Sequence, residues 1–315
     1  MLRVLTYHRV AAVEKQPLLD PRSISASPEA FSEQMEYLKK NYAVLSMEAL
    51  LDAMAKDRPL PHRAVLVTFD DGYRDFAENA WPILKALHLP VTVFVPTAYP
   101  GHPERCFWWD RLYRAIAYTD VVEVRHGLGS IQLKTTEQRR DFLGRVRELV
   151  KSTSDANHMA LVEEVCSRLG EVPGGWNSVL SWDELRRLSI EGVTIAAHTR
   201  RHALLTRIPP QQAREEIVGS QGDIAREIGK ALPVFCYPDG RHNDVVVRIL
   251  KEEGFALACT TMDGFNDLSS ADPFRLRRTN ITPRTLLPIF RVRLWRAVSY
   301  LDMWRHRENW RSATI

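Results

Sequence analysis

Short apolar runs alternate with helix-patterned segments along most of this sequence, and that alternation admits few architectures. Residues 2–7 (LRVLTY) read as a buried strand, AVLVTF at 64–69 as a second and VTVFV at 91–95 as a third. Between them, 28–40 places Phe31, Met35 and Leu38 at helical spacing behind Ser27 as N-cap, and helices follow near 47–56 and 74–87. The pattern returns with Ser181 capping a helix stopped at Gly192, a strand at 193–198 and a helix at about 210–229. Strands at 233–238 and 255–260 then flank a helix near 243–253, and 275–281 reads as a last strand. Repeated strand-then-helix order predicts an α/β fold with a parallel sheet. A closed or partly open (β/α) barrel fits best, with a doubly wound sheet as the alternative; both bind ligands at the carboxyl ends of the strands. Between about 100 and 179 the rhythm breaks into aromatic FWWD, two helical stretches and a loop, predicting a helical insertion. The expected domains are therefore a barrel over 1–280, interrupted by that insertion, and a tail over 281–315.

Composition narrows the functional classes. With 45% hydrophobic and 26% charged residues the chain has the make-up of an ordinary globular protein, and it holds no run of about 18 apolar residues of the kind that spans a bilayer. MLRVLTYHRV does not resemble a secretory signal, so the expectation is a cytoplasmic protein. Its four cysteines, Cys106, Cys166, Cys236 and Cys259, lack metal-binding or disulfide spacing and read as buried thiols. The net charge of +4 is concentrated after residue 280, where seven arginines face two acids. The preceding body is near neutral, which argues against a nucleic-acid surface.

Three polar clusters follow apolar runs: Asp70-Asp71 after LVTF, His198 and His202 after VTIAA, and Asp239-Gly240 after FCYP. In a barrel these converge on one face. Two histidines four apart with one carboxylate suit Zn²⁺ or a similar ion and leave a position open for water, whose pKa the ion lowers to about 7. Of two adjacent carboxylates, one can bind the ion while the other takes a proton from that water. Each cluster also has a structural reading: HTRRH as surface histidines, Asp-Asp as a turn or helix cap. HTRRH lacks the glutamate of HExxH, which excludes that metalloprotease motif.

Taken together and in this order, TFDDGY (68–73), HTRRH (198–202) and YPDG (237–240) resemble the NodB-homology polysaccharide deacetylases, carbohydrate esterase family four. The resemblance covers about 1–99 and 180–280. LTYHRV, SASPEAFSEQMEYLKK and LVTFDDGY together look like the permuted branch that includes poly-N-acetylglucosamine deacetylases of exopolysaccharide systems. It implies a distorted (β/α) barrel and a hydrolase that cleaves amide C–N bonds with a divalent metal, zinc foremost and Fe, Co or Ni as alternatives. Carried over motif by motif, it makes Asp70 the catalytic base, Asp71, His198 and His202 the metal ligands, and Thr199 an orienting hydroxyl. The backbone N–H of Asp239 falls at the family's oxyanion position, and His8 becomes the acid that protonates the leaving amine. Where the family usually has an arginine holding the catalytic aspartate, this chain has Cys236, and Arg241 and Arg277 are the candidate substitutes.

Trp108, Trp109 and Trp182 are candidates for a sugar-stacking wall or for packing the insertion onto the barrel, and Tyr237 is a further candidate substrate contact. Asp110 is a candidate for binding hydroxyls, Asp183 more simply for starting a helix. The tail places Leu287, Phe290, Leu294, Val298 and Leu301 on one face among arginines, with Trp295, Trp304 and Trp310. It reads either as a peripheral membrane contact, which would put the chain at the inner face of the membrane, or as a helix docked on the barrel. The expected function is removal of N-acetyl groups from a sugar of a surface polysaccharide or its lipid-linked precursor, with an N-acetylated glycan as partner and no nucleic acid. The alternatives are a deformylase of a lipid-linked aminosugar and a catalytically silent glycan-binding barrel.

Overall fold

Seven of the apolar runs become parallel strands in the computed structural model, which describes residues 1–126, 129–153, 155–170 and 178–295. They are β1 (Leu2–Tyr7), β2 (Ala64–Phe69), β3 (Thr92–Val95), β4 (Thr194–Ala197), β5 (Val234–Cys236), β6 (Leu257–Cys259) and β7 (Thr279–Asn280). Their spatial order is β6-β5-β4-β3-β2-β1-β7. Residues 276–280 tie the two ends of the sheet together. Leu276 exchanges backbone hydrogen bonds with Ala258 and Thr260 on the β6 side, while Thr279 and Asn280 pair with Leu5 and Thr6 of β1. The order never reverses as a doubly wound sheet requires, so the sheet curls into a (β/α) barrel.

The helices follow from the capping and spacing read above. Ser27 accepts a hydrogen bond from the Ala30 N–H to start α1 (Pro28–Asn41), which buries Phe31, Met35 and Leu38. Next come α2 (Met47–Ala55) and, after a π turn over Phe76–Ala80, α3 (Trp81–Ala86). The helix expected at 74–87 is thus divided, at a place where Pro82 cannot donate to the turn before it. The insertion carries α4 (Trp108–Tyr118), α5 (Thr136–Ser152) and α6 (Asp155–Leu169) around a core of its own that includes Leu112, Phe142, Val146 and Val162. It also contains an antiparallel hairpin, Glu123–His126 with Gly129–Gln132, which the helical reading of this region missed. A capping box of Ser181 and Glu184 starts α7 (Trp182–Ile190), and α8 (Pro210–Ile228) and α9 (Asp244–Glu252) complete the outer layer.

Strand period two decides what each residue faces. Leu5 and Tyr7, Val67 and Phe69, Ile195 and Ala197, and Phe235 and Tyr237 point outward to the helices. Val4, Leu66, Phe94, Ala196 and Cys236 fill the barrel interior. Continuing the inward series toward the carboxyl ends gives Thr6 then His8, Thr68 then Asp70, and Ala196 then His198. The interior is therefore apolar at one end and chemically equipped at the other. On the outer face Tyr7, Phe31 and Phe69 pack with centroids 5.1–5.7 Å apart, and Phe69 meets Phe76 at 4.8 Å. Such pairs add about 0.5–1.5 kcal/mol each beyond burial and clamp α1 on the strands that carry His8 and Asp70.

A last helix, α10 (Leu287–Arg293), begins the tail. Phe290 and Leu294 are buried, Phe290 sits beside Tyr37 of α1, and Trp295 is exposed. This part of the tail docks on the barrel; Val298, Leu301, Trp304 and Trp310 lie outside the described residues. Among the described residues no helix is long and apolar enough to cross a membrane.

Candidate active site

Eight of the side chains singled out in the sequence line one cavity of about 470 Å³ at the carboxyl end of the barrel: His8, Asp70, Asp71, Trp108, Trp109, His198, His202 and Asp239. Their loops are tightly turned. Asp71, Thr199, His202 and Asp239 all have positive φ, between 55° and 73°, four of the seven non-glycine residues with that conformation among the described residues. Left-handed backbone costs about 1–3 kcal/mol per residue and persists where surrounding structure enforces it, which is why it concentrates at functional sites. Gly240 completes the YPDG turn with φ +68°, and a Cβ there would lie 2.5 Å from the Thr261 backbone nitrogen.

Asp71 and His198, both buried, and the half-buried His202 form a three-donor cradle, their ligand atoms all within 4.8 Å of one another. The His198 Nδ1 lies 2.7 Å from the Cys236 carbonyl oxygen, which can only accept, so Nδ1 carries the proton and Nε2 is the free donor atom. That Nε2 lies 3.6 Å from Asp71 Oδ1, and His202 Nε2 lies 3.4 Å from the same oxygen. Asp71 Oδ1 is buried without a hydrogen bond. A buried carboxylate oxygen with no donor, facing two imidazole nitrogens, is a donor set that fits a divalent cation. Burial pushes the His202 imidazole down to about 4 against the pull of Asp71, leaving it neutral as a ligand must be. For His198 burial acts the same way, but Asp71 and Asp70 outweigh it and raise its pKa.

The residues between the histidines hold the loop. Glu216 on α8 accepts from the backbone N–H groups of Arg200 and Arg201 at 2.9 Å each, and the Arg200 guanidinium grips Asp223 at 2.8 and 3.0 Å. The Thr199 hydroxyl is buried without a hydrogen-bond partner.

Asp70 is held by an arginine that sequence reading missed. Arg278 donates from Nη1 to Oδ1 at 2.8 Å and from Nη2 to Oδ2 at 2.7 Å, while its Nε donates to the Thr260 carbonyl. Neither proposed substitute fills this place. Arg277 faces the other side of the strand and donates to the Asp263 carbonyl, and Arg241 pairs with Asp239. Arg278 shares the inward parity of Leu276, and that alternation was the available signal. Burial alone raises the Asp70 pKa, but the Arg278 guanidinium more than offsets it and holds the carboxyl well below the usual carboxylate range. Cys236 Sγ lies 3.5 Å from Asp70 Oδ2; burial pushes that thiol far up and keeps it protonated.

The insertion builds the opposite wall. Trp109 stacks on Phe107 at 4.5 Å, meets the His202 ring edge-on at 4.7 Å and donates its indole N–H to the Tyr73 hydroxyl. From α5, Lys151 reaches Asp239 at 2.9 Å, and Arg147 donates to the Trp109 carbonyl. Both line the cavity, and neither was foreseen. The insertion is joined to the barrel by Arg9, whose guanidinium bridges Asp75 at 2.7 Å and Asp110 at 2.9 Å and lies 3.4 Å from the Tyr73 ring centre.

Three expectations need correction, and a fourth residue keeps the simpler of its readings. Tyr237 has the outward parity of Phe235, is buried and donates its hydroxyl to the Phe274 carbonyl, so it does not line the cavity. Trp182 packs its side chain against the barrel core and is likewise off the wall. Asp110 pairs through Oδ2 with Arg9, is buried and does not line the cavity, so no sugar hydroxyl reaches it. Asp183 is exposed in the first turn of α7, as its helix-starting role requires.

Comparison with known proteins places this geometry. The solved structure of Streptococcus pyogenes deacetylase PplD in complex with acetate is similar at a TM-score of 0.62 and 19% identity, over 93% of this chain and 98% of that one. IcaB from Ammonifex degensii is similar at 0.61 and 20%, over 93% and 97%. The poly-β-1,6-N-acetyl-D-glucosamine N-deacetylase of Staphylococcus epidermidis (strain ATCC 35984 / RP62A) is 32% identical over 108 residues, 31% of this chain and 36% of the relative. The chain thus aligns with only about a third of that relative's length. A family model described as polysaccharide deacetylase matches residues 57–258. That stretch is well over half of the chain and runs through Asp70, Asp71, His198, His202 and Asp239, so the protein belongs to the polysaccharide deacetylase family.

Proposed function

We propose that this chain hydrolyses the N-acetyl amide of an amino sugar in a surface polysaccharide or its lipid-linked precursor, releasing acetate and leaving a free amine. The observation that carries this reading is the pairing, on one cavity floor, of an arginine-gripped carboxylate with a separate Asp-His-His cradle. Asp71, His198 and His202 would hold a divalent ion, zinc being favoured by the imidazole-rich set, which when bound would supply Lewis acidity and lower the pKa of a water to about 7.

The chain's own groups do the rest. Asp70 accepts the proton of the attacking water, and the two-point grip of Arg278 fixes its oxygens and keeps it ionised. The Asp239 N–H serves as a donor to the developing oxyanion. This role needs the amide alone, and the Asp239 side chain is held by Lys151 and Arg241. His8, at the end of β1 on the same cavity, donates the proton that the departing amine requires. The Trp108 and Trp109 faces give a pyranose ring a stacking surface.

Acetate and formate release from N-acetylated and N-formylated oligosaccharides, by metal-loaded wild type and by His198→Ala, tests the reading. Acetate from the wild type alone is expected. Formate alone would assign a deformylase, and glycan binding without release of either by the loaded protein would overturn the enzymatic reading.

A further inference from the structure

A second cavity, of about 570 Å³, adjoins the catalytic one, and Asp20 and Arg22 line both. Its walls carry five cationic side chains and a single carboxylate. Arg22 comes from the loop before α1, Lys134, Arg139 and Arg140 from the start of α5, and Arg284 from the segment after β7. The lone acid, Asp20, already pairs with Arg147 at 2.5 Å and with Arg22 at 3.5 Å. Arg139 is committed to structure, donating to the carbonyls of Leu133, Ala117 and Thr119 at 2.6–2.9 Å. Lys134, Arg140 and Arg284 are exposed and have no carboxylate partner among the described residues.

Elsewhere exposed arginines are either matched, as Arg226 is with Asp223 and Glu227, or, like Arg187, Arg207 and Arg248, have no carboxylate partner among the described residues; what sets Lys134, Arg140 and Arg284 apart is that they line one cavity. Three unmatched cations from two distant segments, gathered around a concavity floored by Ile116 and Leu143, repel one another over a low-dielectric base. Walls of one sign focus the potential, and such a cavity lowers its energy by taking up a polyvalent anion. Arginine forks match phosphoryl oxygens, and several separated cations suit a group with more than one charge better than a single carboxylate.

We propose that this cavity binds a phosphoryl group, a phosphate ester or diphosphate, carried by the same glycan whose acylated amine enters the catalytic cavity. The inference rests on the deacetylase reading and narrows it: the substrate is an anionic, phosphorylated aminosugar rather than a neutral polymer. Arg140, Arg284 and Lys134 set specificity and take no part in the chemistry.

The test compares wild type with Arg140→Ala/Arg284→Ala, both exposed positions without side-chain partners among the described residues. Turnover is measured on an N-acetylated oligosaccharide, on its terminal phosphate ester and on the same sugar linked to a prenyl diphosphate, while inorganic pyrophosphate is titrated calorimetrically into chelator-treated protein. Wild type is expected to show a KM for the phosphorylated forms at least tenfold below that for the neutral one. The double variant is expected to lose this preference, with neutral turnover within about twofold, because each charge-assisted contact is worth roughly a tenfold effect. Pyrophosphate binding should disappear with it. A preference shared by both phosphorylated forms assigns the phosphoryl group itself, and one confined to the prenyl form assigns the lipid carrier as its source. Equal KM for all three substrates, or pyrophosphate binding that survives the double variant, would overturn the proposal. If wild type releases nothing from any substrate while the double variant still loses pyrophosphate, the anion site stands and the deacetylase reading fails.

Discussion

Two buried arginines sit in similar electrostatic settings and do different work. Arg278 grips Asp70 on the floor of the catalytic cavity, and Arg9 grips Asp75 and Asp110 where the insertion meets the barrel. Both are nearly inaccessible, and in both the neighbouring carboxylates hold the guanidinium pKa up against burial. The difference lies in what the carboxylate faces. Asp70 presents its oxygens to a solvent-connected cavity beside an Asp-His-His cradle, whereas Asp110 is enclosed among insertion side chains. A buried ion pair is thus no sign of function until its surroundings are read.

Substitutions can break this comparison. The largest effect is expected for Asp70→Asn: kcat should fall by about 10²–10⁴-fold while metal content, read by atomic emission, stays at the wild-type level, because the proton acceptor is lost and the cradle is not. Loss of metal together with activity would move Asp70 into the ligand set. Next comes Arg278→Met, which leaves the Asp70 charge buried and alone; chemical denaturation should show a loss of about 3–5 kcal/mol. The double variant Asp70→Asn/Arg278→Met should lose clearly less than the two single losses combined, and strict additivity would deny the coupling.

Asp110→Asn removes one of the two carboxylates on Arg9 and should cost about 1–3 kcal/mol, with faster proteolysis within the insertion and metal content unchanged. Equal metal loss in Asp110→Asn and His202→Ala would erase the distinction drawn between the two regions. The smallest effect concerns acid. The native Asp70 pKa lies below its unfolded value of about 3.9, so its stabilising contribution is complete above that pH and is lost as pH falls through the native value. Metal-free wild type should therefore lose more stability than Asp70→Asn below about pH 4. Parallel acid limbs for the two proteins would show that Arg278 does not hold Asp70 ionised.

Much of the architecture was legible because it depends on local pattern. The apolar runs, the caps at Ser27 and Ser181 and the polar residues ending each run placed Asp70, Asp71, His198, His202 and Asp239 on one rim without any tertiary information, and the family resemblance added His8. The insertion hairpin was missed because its strands are short and lack the apolar alternation that marks a strand in sequence. Tyr237 was misplaced because its adjacency to Asp239 was weighed and its strand parity was not. Carrying the alternation from Phe235 sends it outward, and the same count from Leu276 sends Arg278 inward.

What the amino-acid order determined by itself was the strand-helix alternation, the rim and a histidine pair with an aspartate beside it, since each follows from residue type at a fixed spacing along one strand or turn; the family resemblance chose Asp71 as the ligand. Only the tertiary structure decided that Arg278 rather than Arg241 or Arg277 holds Asp70, that α5 lends Arg147 and Lys151 to the cavity, and that Lys134, Arg140 and Arg284 gather around the cavity beside it. The physical reason is range. Periodicity and capping act over a few residues, whereas the partner of a charged side chain is set by the segments that closure of the barrel and docking of the insertion bring together, 208 residues apart in the chain for Arg278 and Asp70.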